Sequence, residues 1–115
     1  MAFYKNTASQ KISILAVNTV TGSGVTGDAS NITGQISKDG GSSAATNDTN
    51  PTELNASNHP GVYIFDMTTA ETNANMINLS ASSTSTNTAI DPLVIYTMDS
   101  GNWPSDTNNS FIGFG

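Results

Sequence analysis

The sequence predicts an all-β domain, a single antiparallel β-sandwich or barrel of Ig-like type with one short helical turn near residues 68–74. Three observations carry this. Thr, Ser and Asn supply 45 of the 115 residues and Gly another 10, a strand-and-turn composition poor in helix formers. Short stretches alternate apolar and polar residues with a period of two. Turn signals fall between those stretches every eight to fifteen residues. Leu, Ile, Val and Phe together number 22, so the core is small. Only 10% of residues are charged, which separates the chain from the highly charged disordered class.

Residues 1–10 read as a polar N-terminal arm with Phe3 and Tyr4 as anchors, residues 11–98 as the β-sandwich domain, and residues 99–115 as a C-terminal tail with an apolar end. The first strand is expected over 11–20. Ile12, Ile14 and Ala16 form one face, and Leu15 and Val17 make the other partly apolar. Thr21 to Gly24 reads as a turn, with Gly22 and Gly24 as turn glycines. Residues 29–38 alternate most cleanly, with Ile32, Gly34 and Ile36 on one face. Asp39-Gly40-Gly41 marks a hairpin tip, because Asp-Gly accepts positive φ at low cost. A short return strand over 42–45, a polar loop over 47–50 and an edge strand over 52–56 follow. Ser57 to Gly61 reads as a turn around Pro60.

Val62 to Met67 is the strongest strand signal, β-branched and aromatic throughout. Val62, Ile64 and Asp66 share one face and Tyr63, Phe65 and Met67 the other, so this strand is expected to be central. Thr68 and Glu71 have the spacing of a capping box, predicting a single helical turn. Residues 76–81 alternate again, 82–88 read as a Ser/Thr/Asn loop, and 93–98 form the last strand.

Charge and composition narrow the function. Nine acids against Lys5, Lys11 and Lys38, with no arginine, give a net charge of −6. Such a chain cannot build the basic face that nucleic acid or an anionic membrane requires. No apolar run reaches the roughly 18 residues of a membrane span. The first residues lack the pattern of a secretory signal, so synthesis in a cytoplasm is expected. Without cysteine there is no disulfide, thiolate nucleophile or Cys-ligated zinc. The one histidine, His59, sits in a turn. Asp28, Asp39 and Asp48 fall in or beside loops, where turn and cap roles account for them as well as a calcium site does. No catalytic, cofactor or metal residue is assigned, and no enzymatic activity is expected. Interface candidates are the aromatics at the two ends, Phe3, Tyr4, Trp103, Phe111 and Phe114.

Several of these motifs occur in a known order. Gly27-Asp-Ala-Ser-Asn-Ile-Thr-Gly-Gln-Ile-Ser-Lys-Asp-Gly-Gly41 is followed by Asn58-His-Pro-Gly-Val-Tyr-Ile-Phe-Asp-Met-Thr-Thr-Ala-Glu-Thr72 and Asp91-Pro-Leu-Val-Ile-Tyr-Thr97. The succession of a strand, a Lys-Asp-Gly-Gly turn, a Gly-Val-Tyr strand and a Thr-x-x-Glu turn resembles the small β-sandwich virion modules of tailed bacteriophages. These include capsid decoration (cement) proteins and the N-terminal domains of baseplate upper proteins and tail-fibre adaptors. The resemblance spans about two thirds of the chain. It implies a structural protein of the virion, made in the host cytoplasm and located on the capsid surface. Its partners would be the major capsid protein and further copies of itself, in a trimer. A tail or baseplate adaptor is the alternative. A carbohydrate-binding adhesion module, with Trp103 and Tyr63 as its aromatic platform, is a third expectation.

Overall fold

The computed structural model describes residues 3–99 and shows two four-stranded antiparallel sheets. The strands are β1 (Gln10–Asn18), β2 (Ile32–Lys38), β3 (Ser43–Ala45), β4 (Thr52–Asn55), β5 (His59–Met67), β6 (Met76–Ser83), β7 (Thr88–Ile90) and β8 (Leu93–Tyr96). One sheet has the order β4-β5-β1-β7 and the other β3-β2-β6-β8. A 3-10 turn (Ala29–Asn31) precedes β2, and the short helix α1 (Thr69–Thr72) carries the chain from β5 to β6. The sandwich and its single helical turn are as the sequence predicts.

The core lies between the sheets and follows from the alternation. Ile12, Ile14 and Ala16 of β1 and Tyr63, Phe65 and Met67 of β5 on one sheet meet Ile32 and Ile36 of β2 and Ile77, Leu79 and Ala81 of β6 on the other. Each large side chain fully buried in this way stabilises the fold by about 1.5–3 kcal/mol. Gly34 belongs to the same inner face: a Cβ there would lie 3.1–3.2 Å from Thr46 and the Phe65 ring. The small residue therefore makes room for the aromatic one. β5 is central, flanked by β4 and β1.

Several boundaries differ from the sequence reading, each for a local reason. β1 ends at Asn18 because the Asn18 side-chain oxygen accepts the Val20 and Thr21 N–H groups and closes a turn. Residues 29–31 are a 3-10 turn, not strand, with the Asn31 N–H bonded to the Asp28 carbonyl. The turn placed at 57–61 lies earlier. The Asn55 side chain accepts from Ser57 and Asn58, and β5 then starts at His59, paired opposite Asn55. β6 runs on through Ser83, paired with Ile32, and Thr88–Ile90 forms β7 on β1, where the sequence reading ended its loop at Thr88 and assigned no strand to 89–90. β4 stops at Asn55 and β8 at Tyr96.

Gly24 is more than a turn glycine. It bridges Val17, and a Cβ on it would lie 2.1 Å from the Pro60 carbonyl oxygen. Gly61 faces it with φ +89, and a Cβ there would lie 2.5 Å from the Ala16 carbonyl oxygen. Three backbone segments meet at a spacing that only two glycines permit.

Candidate functional site

The sequence-predicted interface residues divide. Phe3 is half-buried against the core, and Tyr4 forms a parallel bridge to Met98. The Gln10 side-chain amide holds Tyr4 at both backbone groups, accepting its N–H at 2.7 Å and donating to its carbonyl at 2.6 Å. Thr72, fully buried on α1, accepts the Thr7 N–H at 2.8 Å and lies 2.9 Å from the Thr7 carbonyl. The N-terminal arm is thus pinned to the sandwich. Trp103, Phe111, Phe114 and the tail from 100 onward lie outside the described residues.

The carboxylates serve the fold. Asp28 is buried between the sheets' ends, and its carboxylate accepts from Asn31 Nδ2 at 2.9 Å, Ser83 Oγ at 2.6 Å and the Ser85 hydroxyl. Burial alone would raise its pKa. The hydrogen bonds from Ser83, Ser85 and Asn31 outweigh burial and hold the carboxyl below its usual value. The Asp28 N–H donates to the Tyr63 hydroxyl, which donates in turn to the Val25 carbonyl at 2.7 Å. Burial pushes the Tyr63 phenol up, the hydrogen bond from the Asp28 N–H pulls it down by less, and the nearby Glu53 and Asp28 charges add to the rise. Asp39 accepts the N–H groups of Asn75 and Met76, and Asp48 accepts that of Asp66. Glu71 closes its capping box with Thr68 and uses its second oxygen to accept the Asn47 N–H at 2.8 Å, tying α1 to the loop before β4. Among the described residues no three acidic or histidine side chains gather where they could hold a metal ion. His59 is exposed at the start of β5.

Tyr63 corrects one expectation. It is fully buried, so it cannot offer a sugar-stacking platform. The exposed aromatic among the described residues is Tyr96 on the edge strand β8, 72% accessible.

What the structure brings together instead is a face. On the outer side of the sheet β4-β5-β1-β7, β1 presents Leu15 and β5 presents Val62 directly opposite it. Leu54 extends this row on β4, while Ile64 lies opposite Ser13 and Thr52. Leu15 and Leu54 are each about half accessible, at 53% and 50%. An open groove of about 400 Å³ runs along Leu15, Val17, Val62, Ala89 and Leu93. Beside this row lie Lys11 and Asp66, which pair with each other, Glu53 next to Leu54 and Ile64, and Asp91 at the groove's end. On the outer side of the other sheet Thr33, Gln35 and Ser37 on β2 lie beside Ser82, Ser80 and Asn78 on β6, a polar stretch bordered on the edge strand β8 by the exposed Val94 and Tyr96. The apolar second face of β1 and β5 was visible in the sequence. Leu54 was not, because its exposure depends on the β-bulge between Glu53 and Asn55.

The architecture is that of a small all-β sandwich with an apolar row on one outer face and a hydroxyl-rich stretch over β2 and β6 on the other. No family model matches the chain, and comparison with curated proteins and with solved structures finds no match.

Proposed function

We propose that this chain is a non-enzymatic structural protein of a phage virion, a capsid decoration protein that docks on the outside of the head and stabilises it by bridging capsomers. The observation that carries this reading is the difference between the two outer faces. An apolar row centred on Leu15 and Val62 suits burial against another protein. The Ser/Thr/Asn/Gln stretch over β2 and β6 on the opposite face suits permanent contact with water. Its mechanism is binding energy: a protein that binds only the assembled shell stabilises that shell by mass action. The net charge of −6 keeps many neighbouring copies soluble. Copies associate as trimers around the docking site. The strand and turn order resembling phage modules supports the same reading. A tail or baseplate adaptor would use the same face in far fewer copies.

Copy number tests this. Quantitative mass spectrometry of purified virions, separated into heads and tails, should find hundreds of copies with the heads. A dozen or fewer with the tails would replace decoration by the adaptor reading, and absence from both fractions would remove the virion role.

A further inference from the structure

The sheet β4-β5-β1-β7 has a gap in its pairing. β5 runs along one side of β1 from Gln10 to Leu15. On the other side β7 reaches only Ala16, Val17 and Asn18. The direction of the backbone groups identifies what is left open. The Ala16 carbonyl accepts the Val25 N–H and the Asn18 N–H donates to the Ser23 carbonyl, both on the side of Gly24 and β5. Alternation then turns the N–H and C=O groups of Ile12 and Ile14 towards β5 and those of Lys11, Ser13 and Leu15 away from it. Among the described residues these outward groups have no backbone partner. Beside them lies the apolar groove of Ile14, Leu15, Ala89 and Leu93, with Asp91 at its end.

We infer that this slot takes one extended segment of a partner protein, added antiparallel to β1, with apolar side chains at alternate positions and a lysine or arginine at its N-terminal end. The backbone edge supplies hydrogen bonds and the groove receives the inward side chains, which is recognition by strand addition. Width selects a lone segment. Leu93 belongs to the other sheet yet lines the groove, so β8 stands over the slot. A second folded copy paired here would bring its own opposite sheet, about 10 Å away, into the space that β8 fills. Charge selects the sequence and the direction. Asp91 is exposed and has no cationic partner among the described residues. At the far end of the slot Lys11 is already paired with Asp66. A basic residue beside Asp91 stands opposite Leu15, and from there the segment runs towards Lys11 in the antiparallel sense, the more stable pairing. The net charge of −6 favours the same basic partner.

The inference does not rest on the virion role, and the isolated full-length protein tests it with the capped peptide Lys-Val-Thr-Val-Thr as probe. In an NMR titration the amides of Lys11, Ser13 and Leu15 and the methyl groups of Leu93 should shift together, with a Kd below about 1 mM. Replacing the peptide's lysine by glutamate, or Asp91→Asn in the protein, should weaken binding about fivefold. Ser13→Pro removes an N–H that the fold leaves unused, a position where a strand tolerates proline. It should abolish binding and still melt cooperatively, whereas Ser13→Ala should bind as wild type does. No shift at these amides with about 5 mM peptide overturns the inference, and so does equal binding of the lysine and glutamate peptides. Slow exchange of the three amides without peptide overturns it by showing the slot already filled. Self-association in sedimentation that Ser13→Pro removes overturns it in favour of a second copy.

Discussion

Asp28 makes acid sensitivity a property of one side chain. Its carboxyl has a lower pKa folded than unfolded, so its contribution is fully present above the unfolded value and is lost as pH falls through the folded one. We expect the urea midpoint to fall steeply below about pH 4, and Asp28→Asn to flatten that part of the profile. The same substitution should cost about 2 kcal/mol at pH 7, because it weakens hydrogen bonds made to a charged acceptor. Urea titrations of both proteins between pH 2.5 and 7 check both statements. Gly61 is sensitive for a geometric reason. With φ at +89 and the Ala16 carbonyl oxygen 2.5 Å from where a Cβ would stand, Gly61→Ala combines left-handed strain with a backbone clash. A loss of about 3 kcal/mol is expected, read as a shift in urea midpoint.

Among the elements, α1 is short and would not persist alone. It is held by Glu71, whose two oxygens cap the helix and grip the loop before β4. Thr68→Ala removes one cap bond and should cost about 1 kcal/mol. Glu71→Ala should cost more, because it also frees the Asn47 N–H. Hydrogen exchange at Asn47, faster in Glu71→Ala and unchanged in Thr68→Ala, separates the two effects. This capping box was legible from Thr68 and Glu71 alone, as were the strands whose inner faces are Ile12-Ile14-Ala16, Ile32-Ile36 and Ile77-Leu79, because burying one face imposes period two. β7 was not legible. Thr88-Ala89-Ile90 has no strong strand signal and becomes a strand only because the end of β1 offers it partners. Gly24 and Gly61 read as turn residues because close packing between segments distant in sequence leaves no local trace. The outer apolar row was half legible: Leu15 and Val62 lie on strands with clear alternation, but their juxtaposition depends on register. Val94 and Tyr96 are exposed for the same kind of reason, since β8 is an edge strand.

For the whole molecule, the two outer faces should respond differently to charge. Leu15→Asp/Val62→Asp places two like charges within the apolar row, whereas Thr33→Asp/Ser80→Asp places them on the face already suited to water. If the apolar row docks, the first variant should occupy heads at a level at least about tenfold below wild type, and the second should bind as wild type does. Both should fold, because all four positions point out of the core; circular dichroism and thermal melts check that. Equal occupancy by the two variants would move the docking surface away from this face.

The bridge between Tyr4 and Met98 places the beginning and the end of the described chain side by side. A few glycines could therefore join residue 3 to residue 98 without disturbing a strand, and the chain could be opened instead at the exposed Thr86–Asn87 turn between β6 and β7. Such a permuted protein would keep both sheets and both outer faces. It would carry its new ends at the opposite pole of the sandwich, so a cargo fused there would project from the other side of whatever surface the apolar face covers.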